Sequence, residues 1–112
     1  MRSGSVFLFF IQIIVMVSVT IGAEPTGSIS GEVVSQNTMD PVIGAFVMVE
    51  GTSCGAVTDV SGNFTITDIP VGGYRISVSS VGYHSRVKTD IVVRSERLTF
   101  VDFSLEIAVI SG

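Results

Sequence analysis

The chain has 112 residues, 46% of them hydrophobic and 14% charged, and a formal net charge of −4. That length accommodates one domain and leaves no room for a membrane barrel or a two-domain enzyme. Six Lys and Arg stand against ten Asp and Glu, and their scatter, without a basic run, argues against a nucleic-acid partner.

The first five residues carry a single positive charge, Arg2, and residues 6–17 are apolar except for Gln12. This is the pattern of a secretory signal peptide, because the apolar run is short for a spanning helix, which needs about 20 residues. Ile21, Gly22 and Ala23 place a small residue before Glu24-Pro25, so cleavage is expected after Ala23. Residues 1–23 are therefore read as the leader, 24–106 as one folded domain and 107–112 as an extended tail. Export implies an oxidising compartment, yet Cys54 is the single cysteine, so no internal disulfide can form and the core must hold the fold.

From Gly27 onward apolar residues alternate with period two, and Gly, Pro, Asn or Asp interrupts the alternation about every ten residues. The first strand is expected over 28–34, with Ile29, Gly31 and Val33 on one face. A turn at 36–41 leads to a strand over 43–49 that puts Ile43, Ala45, Val47 and Val49 inward and Phe46 and Met48 outward. A short strand over 54–58 and a tight connection at 59–63 precede Phe64 to Thr67, with Phe64 and Ile66 facing inward. Residues 68–73 read as a loop, because Pro70 cannot donate to a ladder and Gly72-Gly73 favours special dihedrals. Tyr74, Ile76 and Val78 alternate with polar residues in the next strand. Strands over 86–93 and 98–105 follow, the last with Val101, Phe103 and Leu105 inward. No segment after the leader has a helical repeat. Seven short strands point to an all-β Greek-key sandwich.

The residues of this pattern resemble a known family. Gly31-Glu32-Val33-Val34, Asp40-Pro41-Val42-Ile43-Gly44-Ala45, Gly55-Ala56-Val57-Thr58-Asp59, Ser61-Gly62-Asn63-Phe64, Ile69-Pro70-Val71-Gly72-Gly73-Tyr74 and Val81-Gly82-Tyr83 are similar in order and spacing to the carboxypeptidase regulatory-like domain. The resemblance runs from Gly27 to about Glu106. It is nearest to the N-terminal extension of TonB-dependent outer-membrane receptors that import glycans and other large nutrients. It implies a transthyretin-like seven-stranded sandwich, a periplasmic location associated with the outer membrane, and no catalysis. The same residues also have structural reasons of their own. Pro41, Gly44, Asp59, Gly62, Pro70, Gly72 and Gly82 are read as turn residues, with Gly62 able to take positive φ and Asp59 able to accept backbone N–H bonds.

Chemistry is sparse. Asp59, Asn63 and Asp68 lack the series of oxygen ligands and the closing Glu of a calcium loop, which needs six to eight oxygens. Cys54 and His84 are the sole cysteine and histidine, with no orienting third residue or oxyanion loop for a nucleophile and base pair. One histidine cannot supply a three-ligand catalytic zinc site. No enzyme activity, metal or cofactor is expected. Phe46 and Met48 on an outer face, joined by Phe100 if the fold brings it near, form a candidate partner-binding patch.

The tail Glu106-Ile107-Ala108-Val109-Ile110-Ser111-Gly112 resembles a TonB box, which implies that Val109 and Ile110 would pair by β-augmentation with a periplasmic TonB-type protein. Two functions follow as expectations. One is a non-catalytic interaction module of a TonB-dependent receptor, here without plug or barrel, whose partner is that receptor's plug and barrel or the TonB-type protein and whose membrane association comes only through the receptor. The other is a freestanding secreted sandwich that binds a protein or glycan.

Overall fold

The computed structural model describes residues 24–108. The expected leader and the tail residues Val109 and Ile110 lie outside the described residues. The described chain is all-β, with β1 Thr26–Ser35, β2 Phe46–Val49, β3 Gly55–Val57, β4 Asn63–Pro70, β5 Gly72–Ser79, β6 Arg86–Val93, β7 Leu98–Phe100 and β8 Phe103–Leu105. One sheet centres on β1, which pairs antiparallel with β4 and parallel with β7 and then β8; the other has the order β3-β2-β5-β6. The chain crosses between the sheets after β1, β3, β4 and β6.

The sandwich forms because period-two alternation gives each sheet one apolar face, and the two faces bury each other. Ile29 and Val33 of β1, Phe64, Ile66 and Ile69 of β4, and Phe103 and Leu105 of β8 meet Val47 and Val49 of β2, Ile76 and Val78 of β5 and Val93 of β6 in one core. Tyr74 and Cys54 pack against it from partly buried positions.

The structure corrects the expected boundaries in three places. The final strand is broken, giving eight strands rather than seven. Val101 N–H still donates to Ser30 (2.9 Å), but Asp102 departs from the ladder and its carboxylate accepts the Glu32 N–H at 3.0 Å. Ile43 is 61% exposed rather than inward, because β2 begins only at Phe46 and the preceding residues form a turn.

The third correction concerns the expected loop at 68–73, of which only Val71 lies between strands. Pro70 fits at the end of β4 because that strand is an edge, paired among the described residues only with β1, so its missing N–H breaks no ladder. Asp68, at φ 57°, takes up a register shift in the β1–β4 pairing.

Candidate functional site

The outer face of the second sheet is set by register. Val57, Phe46 and Ser79 form one cross-strand row, and Gly55, Met48, Ser77 and Val87 form the next. Val47, Val49, Ile76 and Val78 of these strands are buried, so period two sends the residues between them to solvent. Phe46 is 45% exposed and Met48 partly so, while Val57 and Val87 stand exposed on the flanking strands. The small residues matter here. The Phe46 ring lies across Gly55, where a Cβ would stand 3.2 Å from its Cζ. Ser77 and Ser79 leave the aromatic and thioether groups proud of the surface. Neither row contains a charged residue. To one side, Arg75 Nε and Glu50 Oε1 are 3.6 Å apart, an exposed ion pair that holds little energy.

Phe100 does not join this patch. It is 73% exposed, but it lies on β7 of the other sheet, level with Ser30. Alternation shows that a residue faces outward and does not show which sheet its strand joins, so grouping Phe100 with Phe46 and Met48 fails.

The turn residues separate into two groups. Asp59 Oδ1 accepts the N–H groups of Ser61 and Asn63, each at 2.9 Å, and closes the β3–β4 connection as expected. Gly62, at φ 77°, is buried there against Pro41, with a Cβ position only 2.9 Å from the Pro41 Cβ. Pro41 itself bridges to Val34, so these two sequence-distant turns are one packed unit. Gly44 and Gly82 also have positive φ, at 77° and 88°. Pro70 and Gly72, by contrast, are strand residues, and Gly72 pairs with Val93.

A determinant missing from the sequence reading is Thr58, 3% exposed. Its hydroxyl donates to the Val42 carbonyl at 2.6 Å and accepts the Ala45 N–H at 2.8 Å, and so fixes the turn that delivers Phe46 to the surface. A Thr in a strand-like run carries no signal beyond β propensity.

Cys54 and His84 are held apart. The sheet order β3-β2-β5-β6 puts Cys54, just before β3, at one edge and His84, just before β6, at the other. Asp59 spends its carboxylate on the turn, and among the described residues no three His, Cys, Asp or Glu side chains converge.

The start of the tail is ordered. Ile107 bridges antiparallel to Tyr83, the His84 N–H donates to the Glu106 carbonyl (2.8 Å), and the Ala108 N–H donates to Gly82 (2.9 Å). The Ile107 N–H reaches Asn37 Oδ1 at 3.1 Å. Ile107 and Ala108 are therefore not free, and they dock onto the β5–β6 connection.

Comparison with known proteins places the chain in a family defined by this architecture. The model of the CarboxypepD_reg-like domain matches residues 29–110, and the chain belongs to that family. It is 45% identical over 51 residues to the TonB-dependent receptor SusC of Bacteroides thetaiotaomicron; that match covers 46% of this chain and 5% of the receptor, so the chain spans a small part of that relative. Among solved structures it is similar to an interface mutant of a type II cohesin–X-dockerin complex from Acetivibrio cellulolyticus, with TM-score 0.60, 25% identity, and 69% of this chain and 52% of that one covered. It also shares its fold with the Bacillus anthracis TIE protein, with TM-score 0.61, 20% identity, and 74% and 17% of the chains covered.

Proposed function

We propose that this domain is a non-catalytic, exported, periplasmic interaction module of an outer-membrane TonB-dependent receptor for nutrients such as glycans, and that it docks a protein through the outer face of its second sheet. The observation that carries this reading is the uncharged surface of Phe46, Met48, Val57 and Val87, aligned in two cross-strand rows and flanked by small residues. An aromatic and a methionine standing over small neighbours supply the large contact area that protein interfaces favour. The likeness to SusC supports the receptor setting, and the likeness to a cohesin–dockerin complex supports a protein partner.

The test is site-specific photo-crosslinking from position 46 of the full chain in envelope preparations, with the double variant Phe46→Ser and Met48→Ser as comparison. A discrete protein adduct that the double variant loses in pull-down supports the reading. Partner capture unchanged in the double variant overturns it.

A further inference from the structure

The outer face of the first sheet has a different chemistry. Phe100, Ser30 and Thr65 form one row across β7, β1 and β4, and Asp102, Glu32 and Asn63 lie beside them one step along. Together they line a shallow groove of about 490 Å³. Phe100 presents its ring to solvent. Asp102 uses Oδ1 to accept the Glu32 N–H (3.0 Å), which fixes its carboxylate at the groove wall, and Glu32 is exposed on the strand between. The Ser30 hydroxyl donates to the Phe64 carbonyl at 3.1 Å. Among the described residues no Lys, Arg or His lines the groove, in a chain whose net charge is already −4.

An exposed aromatic face with two carboxylates beside it and no cation in its lining is complementary to a planar cation. The chain uses the same chemistry nearby, where Lys88 Nζ stands 5.3 Å from the centroid of the Phe103 ring and donates to the Asp102 carbonyl. We propose that this groove receives an arginine side chain of a protein partner, the guanidinium stacking on Phe100 and donating to the carboxylates of Glu32 and Asp102. The proposal rests on reading the domain as a protein-interaction module, and it gives that module a second contact, on the sheet opposite the Phe46 face. A guanidinium fits better than a sugar because it brings the positive charge that offsets two neighbouring carboxylates, whereas sugar hydroxyls donate to carboxylates without neutralising them.

The test is an NMR titration of the full isotope-labelled chain with three probes: the blocked peptide Gly-Ser-Arg-Ser-Gly, its citrulline twin and maltoheptaose. Amide shifts centred on Ser30, Glu32, Phe100 and Asp102, seen with the arginine peptide and absent with the uncharged twin, support the proposal. Glu32→Gln and Phe100→Ala should each weaken that binding about twofold to fivefold. If Phe100→Ala does not fold, Glu32→Gln, which keeps the side-chain shape, decides. Equal shifts from the citrulline peptide, shifts from maltoheptaose alone, or no shifts at the groove overturn the proposal. A persisting adduct from position 46 in any of those cases leaves the interaction-module reading standing. A missing adduct with arginine binding intact overturns the docking face and leaves the groove.

Discussion

The carbonyl oxygen of Val101 occupies the space that a Cβ on residue 31 would need. That approach lets one long strand, β1, hold β7 with its first half and β8 with its second, while the chain between them leaves the ladder and rejoins it at the same register. Gly31→Ala should therefore destabilise the domain by about 2–3 kcal/mol, the cost of forcing added volume into a packed site that must open to admit it. Urea unfolding of the pair is the measurement, and a midpoint unchanged from wild type would show that β1 and Val101 separate freely.

Gly44 gives the contrasting case. It has φ 77° with open space around the Cβ position, so Gly44→Ala meets only the backbone cost of left-handed geometry, about 1–2 kcal/mol. Gly44→Asn should recover part of that loss, because Asn tolerates this region. Equal stability of the Ala and Asn variants would mean that the turn has shifted to a different conformation.

Thr58, directly after β3, ties down the turn before β2 through two buried hydrogen bonds, to Val42 and Ala45. Thr58→Val keeps the shape and leaves the Ala45 N–H and the Val42 carbonyl without that partner, at a cost of about 2–3 kcal/mol. Thr58→Ser keeps the hydroxyl and loses a methyl, at about 1 kcal/mol. Chemical denaturation should rank them wild type, Ser, Val; a Val variant as stable as the Ser variant would assign the residue a packing role alone.

What the sequence disclosed follows from the physics of alternation. Ile29 and Val33, Phe64 and Ile66, and Val101, Phe103 and Leu105 could be assigned inward because period two holds wherever one face is buried. The exposure of Phe46 and Met48 follows from the same rule. Features set by distant partners were hidden. The break at Val101 and Asp102 depends on Gly31 and Glu32, some 70 residues away, and nothing local in either segment records that they meet. Pro70 looked like a loop residue because its tolerance depends on β4 being an edge, a property of sheet order. The same ignorance of sheet order grouped Phe100 with the wrong face, and the groove it forms with Glu32 and Asp102 became visible only when three strands were set side by side.

Asp59 offers the last prediction, because its turn was legible and its energy can be isolated. Oδ1 accepts the N–H groups of Ser61 and Asn63, while the backbone of Asp59 exchanges bonds with Gly62 and Asn63. Asp59→Ala removes only the side-chain acceptor from an exposed turn, so water can satisfy the freed N–H groups and the loss should be about 1 kcal/mol. Asp59→Asn retains an acceptor oxygen and should lie closer to wild type. The Phe46 face is carried on β2, which pairs with β3 directly before this turn, so partner capture should survive both substitutions under conditions where the domain stays folded. Thermal melts paired with pull-down are the check. Loss of capture by a folded Asp59→Ala variant would show that the β3–β4 turn itself contacts the partner.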